Sequence, residues 1–308
     1  MTIPARWAYL AVFIGVCGHA SSEFFSVLSG LSGPEVSVWR YMIGAAGLAI
    51  WALCRADTRD FLSPLKTDGA RLVPLALIGV SGAYLCFHWA LDYASVTQVA
   101  TVVTTMPIFV GLINLIANGE RISAVKMITG AMAVIGVTLL ITDGYLSDLA
   151  GDGRSIWGVL LAVTCAALGS GYAVLAKPYM ARHGGMKITT LALLIGAVGL
   201  FVVVGLGWGI WVNPVRITEM PSVAMWSLLA LAILNTTITQ VLWFGGLAAA
   251  PDITRASYLF FLKPVIAAVL AVFILTQPLT WLQAAAILVV TGSVFVEILW
   301  PRIAAKTE

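Results

Sequence analysis

The sequence predicts an all-α polytopic membrane protein: ten transmembrane helices, arranged as two inverted five-helix repeats around a central cavity. Three observations predict it. The chain has too few charges to dress a soluble surface, it carries a succession of apolar runs of spanning length, and it resembles itself at a displacement of 157 residues. Hydrophobic residues make up 60% of its 308 residues and charged ones 10%, with a mean hydropathy of +0.99. A soluble domain devotes about a quarter of its residues to charge.

Apolar runs lie at 7–28, 36–54, 72–91, 95–117, 123–142, 156–177, 188–208, 222–245, 253–275 and 281–300. Most reach the ~20 residues a helix needs to cross ~30 Å of hydrocarbon. Between 72 and 117 the only break is Asp92-Tyr93-Ala94, and the block is divided there because it is too long to cross once. The first run resembles a signal peptide in having Arg6 ahead and small residues from Gly18 to Ser22. It continues through Phe24, Phe25 and Leu28, so an uncleaved first helix is expected. Cys17, Cys54, Cys86 and Cys165 each sit in an apolar stretch without a CxxC pair, which suggests packing residues rather than a metal site or disulfide framework.

The bases set the orientation. With the amino terminus inside, the exterior loops keep only Arg154 and Arg216, and the spans only Arg40 and Lys263. Every other Lys and Arg falls in an interior segment. The positive-inside rule therefore predicts both termini in the cytoplasm, with the chain in a bacterial inner membrane.

Shifting the chain by 157 residues places Pro107 on Pro264, Met106 on Lys263, Phe87 on Phe244 and Thr97 on Thr254. Each proline is followed thirteen residues later by Glu120 or Gln277. The halves are 1–142 and 156–308, joined by a polar extracytoplasmic linker over 143–155. Five spans per half is odd, so the second half enters the membrane inverted. That architecture can open alternately to either side.

Pro107, Asn118-Gly119-Glu120-Arg121, Gly130 and Gly136, with Tyr93-Ala94-Ser95 and Trp39-Arg40-Tyr41, resemble the EamA-type pattern of the drug/metabolite transporter superfamily. Within it the chain is similar to bacterial aromatic amino-acid exporters of the YddG type. The resemblance covers essentially the whole chain and implies ten helices, a central cavity and export from the cytoplasm. Gln277 departs from the pattern, which often has glutamate there.

Ionisable groups at membrane depth usually serve a purpose. Lys263 lies near the middle of its span, and its repeat partner is the uncharged Met106. It is expected either to receive a substrate carboxylate in the cavity or to be held by carbonyls freed at Pro264. Glu23 and Arg40 lie at similar depth on neighbouring spans and are expected to form a structural or gating ion pair. Polar stripes mark the cavity-facing sides: Ser81, Tyr84, His88 and Asp92; Thr97, Thr101, Thr104 and Thr105; Asn235, Thr239, Gln240 and Trp243; Thr254, Tyr258 and Phe261. From these, Lys263, Tyr84, His88, Thr101, Thr104, Thr105, Gln240, Trp243 and Tyr258 are the candidate substrate-binding residues. Helix-packing hydrogen bonds are the competing explanation for any one of them. His88 and Glu23 are the groups through which proton coupling would run, and His19 is a weaker case than His88. Pro107 and Pro264 are expected to kink related spans.

The predicted function is secondary export of amino acids, aromatic and other neutral ones among them, by alternating access. The chain contains no GxxxxGK[ST] loop, so ATP is not implied, and nothing suggests a cofactor, a metal or nucleic acid. The alternatives are a multidrug exporter of lipophilic cations, a channel, and an intramembrane hydrolase built on Gly169-Ser170-Gly171.

Overall fold

The computed structural model describes residues 3–94, 99, 102–142, 155–266, 269 and 280–304, and every regular element among them is helical. In chain order these are α1 (Ala8–Ala20), α2 (Ser22–Leu28), α3 (Gly33–Leu53), α4 (Pro64–Ala90), α5 (Met106–Asn118), α6 (Ala124–Thr142), α7 (Ser155–His183), α8 (Gly185–Trp208), α9 (Ser222–Ala249), α10 (Ile253–Ser257) and α11 (Trp281–Ala304). Among the described residues α3, α4, α7, α8, α9 and α11 are each long and apolar enough to cross a bilayer. Trp7, Trp157, Trp226 and Trp281 are at least half exposed, as large apolar side chains are when lipid rather than water surrounds them. The protein is a multi-pass membrane protein. Residues 143–154 of the expected linker, together with Ser95, Thr97, Thr101 and Gln277, lie outside the described residues.

Local chemistry accounts for the helix ends. Pro64 opens α4 eight residues before the apolar run starts, because proline suits a first helical turn whose N–H has no partner in any case. The chain leaves α4 in a turn over 91–94, where Asp92 Oδ1 accepts from the Gly33 N–H at 3.3 Å and so ties this corner to the start of α3. Gly119, at φ 71°, ends α5 with its N–H on the Leu115 carbonyl, the left-handed cap that glycine adopts without a Cβ clash.

Three interruptions depart from smooth spans. The first span, expected as one helix over 7–28, breaks at Ser21 into α1 and α2. There the Asn235 amide of α9 donates to the Gly18 carbonyl and, at 2.7 Å, to Ser21 Oγ. The same carbonyl takes the Ser21 N–H at 3.4 Å and the Ser21 hydroxyl at 3.1 Å, so the chain closes an i+3 turn here, and a group inserted from another helix accompanies the break. The other two interruptions are π-helical stretches, Leu77–Gly82 in α4 and Ile233–Ile238 in α9. Their first residues are 156 apart, against 157 for the two prolines. In α9 the wide turn strands carbonyls that hydroxyls recapture from five residues on. Thr236 donates to Leu231 O at 2.9 Å, Thr237 to Ala232 O at 3.3 Å and Thr239 to Leu234 O at 3.0 Å.

Helix pairs pack closely through small residues. Gly15 and Gly18 of α1 meet Trp243 and Thr239 of α9, while Gly246 meets Val12 and Ala8. Residue numbers rise on one partner as they fall on the other, so this pair is antiparallel. The same sense joins α4 to α7, where Gly79 meets Tyr172 and Gly158 meets Ala90. It also joins α6 to α11, where Gly136 meets Val290 and Thr129 meets Glu297. α3 packs against α8. Because lipid gives no hydrophobic drive between helices, such backbone approach supplies the dispersion contact that holds them.

The closest backbone approach is at Gly33, where an added Cβ would stand 2.2 Å from the His88 carbonyl oxygen. That neighbour is backbone and cannot rotate away. Gly33→Ala is expected to destabilise the protein by about 1–3 kcal/mol, read as a lower thermal midpoint in detergent. An unchanged midpoint would show that the α3–α4 contact is looser than described.

Candidate functional site

A cavity lies between α1, α3, α4, α7, α9 and the segment after α10. Its wall includes His19, Arg40, Tyr84, Phe87, Met106, Trp243, Phe244, Phe260 and Lys263. The local backbone sets these side chains. A 3₁₀ turn over Tyr258–Phe261 precedes the helical residues 262–266, which places Phe260 and Lys263 on one side. Phe260 and Lys263 are three residues apart, nearly one helical turn.

Lys263 is 6% exposed. Its Nζ stands 5.7 Å from the Phe87 ring centroid and 5.8 Å from that of Phe260, within range for a cation held by ring faces. Trp243 and Phe260 pack at 5.1 Å between centroids, and the His19 ring is edge-on to both. The wall thus offers positive charge set among aromatic rings.

Arg40 is the second cation of the wall and is 2% exposed. Its Nε donates to Thr236 Oγ1 at 2.7 Å and its Nη2 to the Asn235 carbonyl at 3.2 Å, both in the π stretch of α9. Its Nη1 lies 3.4 Å from His88 Nε2. A guanidinium only donates, so Nε2 is the accepting nitrogen and the ring proton sits on Nδ1. Nδ1 in turn faces the Tyr84 carbonyl at 3.0 Å and Ser37 Oγ at 2.7 Å. Arg40 therefore braces α3 against α4 and α9. The partner expected for it, the Glu23 side chain, lies outside the described residues.

The candidate residues divide. Lys263, Tyr84 and Trp243 line the cavity. Gln240 stands behind Tyr84, with its amide donating to the Tyr84 hydroxyl. His88 is directed to α3. Thr105 Oγ1 turns back to the Val102 carbonyl at 2.6 Å, while Val103 and Met106 beside it face the cavity; Thr104 is buried. Thr101 lies outside the described residues. Tyr258 points elsewhere: its hydroxyl donates to the Lys126 carbonyl at one end of the bundle. Pro107 stands at the start of α5, after a turn at Thr105, and Pro264 follows the 3₁₀ turn; both occur where the helix restarts, not at a bend within a continuous one. Ser170 donates to the Met106 carbonyl at 3.1 Å, so its hydroxyl serves packing.

His19 and the two phenylalanines Phe87 and Phe244 are wall residues outside the candidate set. The 157-residue displacement had paired Phe87 with Phe244 and Met106 with Lys263, and all four line the cavity. That pairing was a usable signal.

At one end of the bundle charges cluster between α6, the start of α10 and the end of α11. Lys126 Nζ lies 2.6 Å from Asp252 Oδ2, and Arg255 Nε lies 3.2 Å from Glu297 Oε1. Thr129 Oγ1 donates to Glu297 Oε2 at 3.3 Å. Burial disfavours the Asp252 charge. The Lys126 hydrogen bond, the Arg255 N–H and both cations outweigh it, and hold the carboxyl below the usual carboxylate range. Lys177 Nζ donates to the Ala250 carbonyl at 3.1 Å, and Lys187 and Arg182 pair with Asp60 and Asp68.

The model of the EamA-like transporter family matches residues 6–142 and again 156–299. The chain belongs to that family. Among EamA-like relatives it is 25% identical over 253 residues to an uncharacterized transporter of Archaeoglobus fulgidus, covering 81% of this chain and 82% of that one. It is 24% identical to a riboflavin transporter of Brucella anthropi (83% and 81% covered). It is also 24% identical to a probable terminal-alkyne amino-acid exporter of Streptantibioticus cattleyicolor (82% and 80%). A solved crystal structure superposes with a TM-score of 0.81 at 20% identity, over 97% of this chain and 99% of that one. An EamA-like protein is a membrane transporter, and its cargo is a small molecule.

Proposed function

We propose that this transporter exports amino acids, aromatic and other neutral ones among them, from the cytoplasm by alternating access. The observation that carries the reading is the buried Lys263 ammonium set among aromatic rings in the wall of a cavity between the helices. An ammonium supplies one strong partner for one carboxylate, and the rings tolerate varied apolar side chains. The likeness to an amino-acid exporter favours this cargo; the equal likeness to a riboflavin transporter leaves the cargo to experiment. A lipophilic cation would meet both Lys263 and Arg40, which disfavours the multidrug reading.

Two halves of five spans, 1–142 and 156–308, account for the packing. Under the exchange of first with sixth span and so on, the α1–α9 contact maps onto α7–α4, and α3–α8 and α6–α11 map onto themselves. All three antiparallel pairs join spans an odd number apart in the ten-span order. The end that gathers Lys126, Lys177, Arg182, Lys187 and Arg255 is assigned to the cytoplasm by the positive-inside rule, with both termini there, in the bacterial inner membrane. The Lys126–Asp252 and Arg255–Glu297 pairs would then close the cytoplasmic mouth and part when the cavity opens inward. Their counterparts at a displacement of 157 are Gln283, Ser95, Gln98 and Leu140, all uncharged. Electrostatics therefore bias the protein toward its cytoplasm-closed state.

Purified protein in proteoliposomes tests the reading, with radiolabelled phenylalanine, a dicationic dye and a sugar phosphate as cargoes. Saturable phenylalanine uptake with no dye movement is expected; dye movement without phenylalanine would replace this reading with the multidrug one. Repeating the assay with an imposed pH gradient determines whether protons are coupled, with His88 and Glu23 as the groups to substitute.

A further inference from the structure

His19 has a ring nitrogen that no described residue engages. It lies on α1 in the cavity wall, and its Nε2 is buried without a hydrogen-bond partner among the described residues. Buried polar atoms in native proteins nearly always have partners, so an orphan on a residue of the cavity wall calls for one, which a bound ligand can supply. The ring is not free to seek another partner. It is edge-on to Trp243 at 5.8 Å and to Phe260 at 5.7 Å, and these contacts fix its plane.

Its neighbours define what that partner is. Phe260 touches both His19 and Lys263: one ring has the imidazole at its edge and the ammonium 5.8 Å from its centroid. The Lys263 and Arg40 charges both act on His19. A group bound at Nε2 therefore sits in positive potential, which attracts an anionic oxygen and repels an ammonium. Gly18, the preceding residue, lies against Thr239, so α1 is held close to α9 here and the imidazole keeps its depth.

We propose that His19 Nε2–H donates a hydrogen bond to the carboxylate of the carried amino acid, so that His19 and Lys263 together form a two-donor carboxylate seat. The proposal rests on the amino-acid reading above and adds to it the residue that recognises the acid group beside the lysine. Lys263 supplies charge, which acts at some distance and over many angles. His19 supplies direction, because a fixed N–H rewards one placement of the oxygen. A ligand with a carboxamide in place of the carboxylate keeps its side chain but loses the charge-assisted bond.

His19→Leu and His19→Gln test it in proteoliposomes, with phenylalanine uptake competed by unlabelled phenylalanine and by phenylalaninamide. The Gln amide places an N–H near the position of Nε2. In His19→Leu the KM for phenylalanine is expected to rise about ten-fold, with the weak inhibition by the amide unchanged. His19→Gln is expected to recover most of that loss, and both variants to melt within a few degrees of wild type. An unchanged phenylalanine KM in His19→Leu overturns the proposal. So does an equal loss for acid and amide, or failure of Gln to recover, because each indicates packing and not recognition. Wild-type protein that moves no amino acid refutes the amino-acid reading itself, a result separate from these.

Discussion

Lys263→Met leaves the protein folded and removes amino-acid transport, lowering kcat/KM by at least about 100-fold, the scale expected when one partner of a desolvated charge pair is lost. Methionine is the residue the other repeat carries at this position, Met106, and its volume and apolar stem are close to those of lysine. Packing against Phe87 and Phe260 is therefore preserved while the charge is removed. Lys263→Arg keeps the charge but changes its shape, and is expected to retain part of the activity with altered preference among amino acids. The measurement is initial uptake rate in proteoliposomes at equal protein density, alongside a thermal melt. Near wild-type uptake by Lys263→Met would mean that the ammonium serves the helix and not the cargo.

Glu297→Gln opens the end of the bundle closed by the ion pairs. Glu297 is fully buried and accepts from Arg255 and Thr129, so the substitution removes the carboxylate at Arg255 Nε and leaves the guanidinium only Asp252, 3.9 Å from Nη2. Breaking a buried pair is strongly destabilising to the state that contains it, and the free energy shifts toward the state that does not. With Thr254→Cys as reporter in a background lacking the native cysteines, labelling by an impermeant maleimide from the cytoplasmic side is expected to rise about ten-fold. The second pair behaves the same way with pH. The Asp252 carboxyl is held below its ordinary value, so its contribution is present above the unperturbed pKa of about 3.9 and is lost as pH falls through the depressed one. The closure is therefore expected to be intact at neutral pH. Unchanged labelling in Glu297→Gln would assign the cluster to folding rather than to gating.

Much of the scaffold was legible because lipid imposes a simple rule: a span must be apolar and about 20 residues long. The turn after α4 stands where Asp92-Tyr93-Ala94 interrupts the run, and the wall residues Phe87, Phe244, Met106 and Lys263 fall on the internal displacement. What the pattern missed is where the helix departs from 100° per residue. The π stretches at Leu77–Gly82 and Ile233–Ile238 and the 3₁₀ turn at Tyr258–Phe261 rotate everything beyond them. Stripes read at regular helical spacing therefore mix cavity-facing with packing residues. His88 and Gln240 belong to the packing group: one meets Arg40 and Ser37, the other Tyr84. The break at Ser21 depends on Asn235, more than two hundred residues away, which no local pattern reveals.

Sided labelling tests the central claim most directly, namely that the halves enter the membrane in opposite senses around a shared cavity. Single cysteines at Ala150→Cys and Ala305→Cys, each in a background without the native four, are probed with an impermeant maleimide on intact and permeabilised cells. The account predicts that position 150 reacts in intact cells and position 305 only after permeabilisation. Reaction of both from the same face would contradict an odd number of spans between them, and with it the inverted pair of halves.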